Sequence, residues 1–261
     1  MKALRGVREG FFNVDASHGD ARMSSEPDMP PPVRRYFRYA LGEEQPRVRT
    51  ALFHQSGFFR SRFGGDPAKG WAPFRATQRI AARPPSFVWE ARIRMLPFLS
   101  VRVRDGYDAG HATMRGTLLG VVPVAKAVDG AELREGALQR WLAEAVWLPT
   151  ALLPEGGVTW APIDDRRARA AVSDAGITVS LDFEFAASGE VLAVRAPARP
   201  RAVPGRAAGF VRAPWGGRFH RWETHGGMRV PVEAEVFWEL EGREECYYRG
   251  RNDRLSYRFD Q

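Results

Sequence analysis

The sequence is short of cysteine, of lysine and of long apolar runs, and each shortage removes a class of protein. Cys246 is the only cysteine among 261 residues. That excludes an intrachain disulfide and any metal site built from several thiolates. No stretch approaches the roughly 18 consecutive apolar residues of a membrane-spanning helix. The opening "MKALRGVREGFFNVDASHGD" carries basic residues at positions 2 and 5 but no apolar segment of signal-peptide length. A cytoplasmic location is therefore expected. The net charge is +8 and the isoelectric point about 10.2, which invites a nucleic-acid reading. Yet Lys2, Lys69 and Lys126 are the only lysines, and the arginines are scattered in no run longer than a pair. A nucleic-acid footprint normally clusters on one element, so no nucleic-acid partner is expected.

Reaction signatures are missing as well. There is no G-x-S-x-G, no phosphate-binding P-loop and no dinucleotide fingerprint. The five histidines (His18, His54, His111, His220 and His225) show no HxxxH or HxH spacing. No metal and no cofactor are expected. Ser56 and Cys246 have no evident base beside them in the sequence.

What is present is a change of period. Residues 1–30 are polar, contain proline and lack periodicity, which reads as a leader. From Pro32, "PVRRYFRYAL" places Val33, Tyr36, Phe37 and Ala40 on one face of a short helix. From Arg47 the period becomes two. In "SFVWEARIRML" Phe87, Trp89, Ala91, Ile93 and Met95 share one face, and in "ITVSLDFEF" Ile177, Val179, Leu181, Phe183 and Phe185 do the same. Between the two β regions, Leu138, Trp141, Leu142, Ala145 and Val146 form a helical stripe. It runs into "EAVWLPTALLPEGGVTW", the most apolar stretch of the chain, where Pro149 and Pro154 prevent a continuous helix. About ten strands are predicted, and that many tend to curl. The expected fold is mostly β: residues 31–261 form a single curved antiparallel sheet, an incomplete barrel. The helix and the apolar loop cover its concave face.

Seven segments, "PPVRRYFRYAL", "WAPFRATQ", "PPSFVWEARI", "RWLAEAVWLPTALLP", "VTWAPIDDRRARA", "LDFEFAASGEV" and "PVEAEVFWEL", together resemble a bacterial domain-of-unknown-function family of the DUF6544/DUF6920 type, over about residues 31–255. The resemblance implies no activity. More distantly, the order of elements is similar to the lipoprotein-carrier fold of the LolA/LolB type. That similarity implies a helix-covered hydrophobic concavity that accepts acyl chains.

The functional expectation is a non-catalytic protein that holds an apolar or lipid-like small molecule in its concavity, lined by Trp89, Trp141, Trp147, Leu152, Leu181 and Phe183. An enzyme acting on such a ligand is the alternative, with Asp164 or Asp165 as acid/base and a histidine such as His220 assisting. Against it, "APIDDRRARA" reads equally as a turn in which Arg166 and Arg167 partner the aspartates. A third reading is a structural protein with a fully packed core. Arg92, Arg94, Arg102 and Arg104 share the polar faces of two adjacent predicted strands. They make an outer stripe, either simply solvated or facing an anionic membrane surface.

Overall fold

The structure is a computed structural model. It describes residues 29–42, 44–60, 66–118, 122–127 (backbone only), 129–203 and 209–260. All but the last two residues of the expected leader lie outside that set. Helix α1 (Pro31–Ala40) begins one residue before the expected Pro32 and buries the expected face of Val33, Tyr36, Phe37 and Ala40. Its first turn holds two prolines, whose missing N–H groups have no intrahelical partner there in any case.

Among the described residues thirteen strands follow: β1 (Val48–Arg60), β2 (Trp71–Ala81), β3 (Ser86–Leu96), β4 (Leu99–Asp108), β5 (His111–Leu118) and β6 (Val122–Ala127), then, beyond helix α2 (Ala131–Glu144), β7 (Val158–Pro162), β8 (Arg167–Asp174), β9 (Ile177–Phe185), β10 (Val191–Ala202), β11 (Phe210–His225), β12 (Met228–Leu240) and β13 (Arg243–Phe259). They form one antiparallel sheet in the order β6-β5-β4-β3-β2-β1-β13-β12-β11-β10-β9-β8-β7. The first and last strands pair in the middle of the sheet, Phe53 opposite Leu255. Its two edges, β6 and β7, are neighbours in the chain but not in the sheet. The chain therefore walks from the centre to one edge, crosses to the other through α2 and the apolar run, and walks back. Among the described residues the sheet does not close into a barrel. Its wings do touch at one end, where the Tyr107 hydroxyl on β4 donates to Asp174 Oδ2 on β8 at 2.6 Å.

The crossing segment lies inside the curl. Helix α2 packs against β4 and β5 of one wing and β8, β9 and β10 of the other. It is buried over Gly136–Gln139 and Trp141–Ala143, which is more of its circumference than the single predicted stripe. A helix enclosed from several sides loses the sharp contrast between faces. Its polar side chains reach out to partners, as when Glu135 receives both terminal nitrogens of Arg212 at 2.7 Å.

Beyond Glu144 the apolar run winds through three short 3₁₀ turns, Ala145–Trp147, Pro149–Leu152 and Pro154–Gly156. Gly157 then adopts φ +86°, a left-handed conformation that suits glycine, and turns the chain into β7. Leu138, Trp141, Leu142, Val146, Leu148 and Leu152 are at most 1% exposed; each such side chain contributes roughly 1.5–3 kcal/mol by burial. Because a buried N–H without an acceptor costs about 1–3 kcal/mol, the tryptophan indoles settle where carbonyls are available. Trp141 Nε1 donates to Ala81 O, Trp147 Nε1 to Pro231 O and Trp160 Nε1 to Leu152 O, each at 2.9 Å. Thr150 Oγ1 accepts from Val48 N at 2.9 Å, and the Tyr257 hydroxyl donates to Trp147 O at 3.0 Å. The greasy run is thus a plug, stapled to β1, β2, β12 and β13. Among the described residues no helix is long and apolar enough to cross a membrane.

Candidate functional site

The concave face divides into a plugged half and a more open half. Near the clasp between the wings, Ile80, Phe87, Tyr107 and Ala112 pack under the plug and are essentially inaccessible. Away from it the accessibility rises. Val101 and Val103 on β4 are half-buried, as are Phe59 on β1, Val236 on β12 and Tyr247 and Tyr248 on β13.

A polar chain marks the boundary. Arg140, one turn before the end of α2, bonds Asp105 Oδ2 through Nη1 at 2.6 Å and Glu144 Oε1 through Nε at 2.7 Å. Gln78 donates to the other oxygen of Glu144. Gln55 donates to Gln78 Oε1 at 3.2 Å and to Asn252 Oδ1 at 2.9 Å, and accepts from Trp89 Nε1 at 2.9 Å. The Arg140 guanidinium also lies 4.8 Å from the Phe87 ring centre and 5.3 Å from that of Trp89. Burial alone would lower the Arg140 pKa; the Glu144 and Asp105 carboxylates outweigh it and raise the pKa, so the cation is secure.

Arg199 on β10 stands on the open side of this boundary. Its guanidinium sits 4.3 Å from the Trp215 ring centre and 5.5 Å from that of Trp238. Nη2 donates to Gly136 O at 2.8 Å, while Nε, closed off from solvent, has no acceptor among the described residues. Burial pulls its pKa down, and nearby Arg140 adds repulsion, against an opposing contribution from Tyr247. The Tyr247 hydroxyl accepts from Trp215 Nε1 at 3.0 Å. Tyr248, its pKa raised by burial and then by Glu144, keeps its proton as a donor. Its ring folds back over its own strand, where a Cβ on Gly250 would lie 2.2 Å from the tyrosine oxygen. Only glycine leaves room for that approach.

A family model described as "Family of unknown function (DUF6544)" matches residues 21–250. The chain belongs to DUF6544. A search of curated proteins finds no match. Among solved structures, a beta-barrel-like protein of domain of unknown function DUF1849 from Brucella abortus is 11% identical, with a TM-score of 0.29 over 82% of this chain and 100% of that one.

In this DUF6544 protein the six residues expected to line a cavity fall into three places. Trp141, Trp147 and Leu152 belong to the plug itself. Leu181 and Phe183 lie on β9 in the same core, Phe183 with its ring centre 5.0 Å from that of Trp160. Trp89 sits at the boundary, bonded to Gln55. All six are at most 5% exposed.

The lining of the open half (Arg199, Phe59, Val236, Tyr247 and Tyr248) did not emerge from periodicity. For the two tyrosines the reason is a β-bulge. Val236 pairs with Tyr248 and Phe237 with Cys246, so Tyr247 is an extra residue and both tyrosines reach the concave face. The adjacent pair in "ECYYRG" was the signal, since two large neighbours on one face break the period of two.

The aspartates serve a turn. Asp164 Oδ1 accepts from Arg166 N at 2.9 Å and Arg167 N at 2.8 Å, and Oδ2 from Arg167 Nε at 2.7 Å. The Arg167 hydrogen bond lowers its pKa. Asp165 is exposed and offers its backbone carbonyl to Arg35 at 2.7 Å. His220 on β11, opposite Glu233 on β12, is separated from that turn by β8, β9 and β10. Among the described residues no three metal-ligating side chains converge.

Proposed function

We propose that this protein binds an anionic amphiphile in the open half of its concavity, without catalysing a reaction on it. The head group meets Arg199 and the tyrosine hydroxyls, and the apolar chain lies along Phe59, Val103 and Val236. The observation that carries this reading is the Arg199 guanidinium, held over two neighbouring tryptophans at the inner end of the open half with a buried N–H lacking an acceptor. Such a donor costs the free protein about 1–3 kcal/mol, which an incoming carboxylate or phosphate oxygen relieves. Burying about 200 Å² of apolar chain adds roughly 5 kcal/mol before the costs of association. The incomplete, helix-filled barrel is also the architecture that the LolA/LolB-type resemblance implies for acyl-chain binding.

The test is calorimetric titration with dodecanoate, dodecyl phosphate and the neutral dodecyl maltoside, below their micelle concentrations. Both anions should bind, and the neutral head group about tenfold or more weaker, the difference of one charge-assisted hydrogen bond. Arg199→Gln should abolish the preference, with circular dichroism showing an intact fold. Equal binding of all three, or a preference that survives Arg199→Gln, would overturn the assignment.

A further inference from the structure

The opposite face of the sheet carries a second feature. A trough of about 900 Å³ crosses the outer side of β1, β2, β3, β12 and β13, between the β3–β4 hairpin tip and His220. Its residues alternate with the concave-face ones: Phe58 follows Gly57, Arg75 follows Phe74, and Arg94 follows Ile93. Arg75, Arg94 and Arg251, all exposed, have no carboxylate partner among the described residues. The trough's two acids are already engaged, Glu235 by Arg249 at 3.0 Å and Glu233 by Arg221 at 3.6 Å. The trough is therefore cationic in sum. Beside this charge stand the most exposed large apolar side chains of the described fold: Phe98 at 96%, Leu96 at 61% and Phe58 at 51%.

We infer that this trough and the Leu96–Leu99 tip dock the protein on an anionic phospholipid leaflet. Uncompensated arginines beside protruding apolar residues match a bilayer interface, where head-group phosphates take the cations and the acyl boundary takes the apolar tips. A nucleic acid would use the arginines but has no place for Leu96 and Phe98 at a hairpin tip. An acidic protein would leave the same tip in water unless it also offered an apolar socket. Nothing in it depends on the ligand proposed for the concave face.

Flotation with sealed vesicles of phosphatidylcholine alone and of phosphatidylcholine with about a third phosphatidylglycerol tests it. The wild-type chain should float with the anionic vesicles only, and salt near 0.5 M should release it, since screening shortens the reach of charge to a few Å. Replacing Arg75, Arg94 and Arg251 together by Gln should weaken partitioning by about 100-fold, three basic contacts each contributing about a factor of five. Leu96→Ser with Phe98→Ser should weaken it less, by about tenfold. All substituted side chains are exposed, and unchanged melting temperatures would confirm intact folds. A Phe98→Trp variant should show a blue-shifted emission quenched by brominated acyl chains. Failure to float, equal flotation with neutral vesicles, or indifference to the arginine substitutions would overturn the proposal, as would binding to an acidic polypeptide or to DNA in place of vesicles.

Discussion

The two halves of the concave face belong to one sheet, yet they treat their tryptophans differently. In the plugged half the indoles of Trp141, Trp147 and Trp160 all donate to backbone carbonyls. In the open half and at its boundary, Trp215 donates to the Tyr247 hydroxyl and Trp89 to the Gln55 side chain. A carbonyl within a sheet or turn is fixed by the backbone around it. A side-chain acceptor can rotate and take another partner. The difference separates a region whose contacts define the fold from one whose side-chain contacts are free to rearrange, as the proposed binding requires.

That contrast breaks most readily through stability. Trp141→Ala removes a fully buried ring and its bond to Ala81, and should cost about 3–5 kcal/mol in urea unfolding. Val236→Ala, in the half-buried wall, should cost about 1 kcal/mol or less. Equal costs would mean that the open half is as much a part of the core as the plug. Next in size is the boundary itself. Arg140→Met leaves Asp105 and Glu144 facing one another without their cation, and should cost about 3 kcal/mol, the lower end of the range for broken buried pairs. The lower end applies because the Arg140 side chain is still 18% exposed. Adding Glu144→Leu should recover part of the loss, and the recovered fraction measures the coupling in a double-mutant cycle. Smaller in stability but sharper in function is Gly250→Ala. Its methyl group displaces the Tyr248 ring, so anion binding should weaken severalfold while the fold loses about 1 kcal/mol.

How much of this was readable beforehand follows the same division. Alternation in "ITVSLDFEF" identifies Leu181 and Phe183 as inward-facing, because every second side chain of a strand shares a face. The inward course of "EAVWLPTALLP" was legible from its apolar content and its prolines. The strand count was underestimated because the two edge strands are short: β6 has 6 residues and β7 has 5, too few for an alternation to show. Bulges hid the site. Arg199 reaches the concavity only because the β10–β11 pairing slips between Ala196 and Arg199, and Tyr247 only because of the extra residue opposite β12. A side chain delivered by an irregularity cannot be found by counting in twos. In contrast, the turn reading of Asp164 needed only local chemistry, an aspartate followed by backbone N–H groups and an arginine within three residues.

The smallest expected effect concerns where the plug begins. Asp129, just ahead of α2, bonds Arg134 through both carboxylate oxygens at 2.8 and 2.7 Å and accepts from the backbone N–H of Ala112 on β5 at 3.1 Å. The Arg134 hydrogen bond in particular holds its carboxyl well below the usual carboxylate range. A carboxyl depressed in the folded state adds stability that is complete above the unfolded-state pKa of about 4 and is lost as the pH falls toward the folded-state value. Asp129→Asn should therefore lower the melting temperature at pH 7, and the gap to wild type should narrow at pH 3. The pair faces solvent, so the neutral-pH difference should stay below about 1 kcal/mol. Because Asp129 ties the plug to a wing and touches nothing in the open half, amphiphile binding at pH 7 should be unchanged. Weakened binding in this variant would show that the halves are coupled through α2, whose other end carries Arg140 and Glu144 to the boundary of the open half.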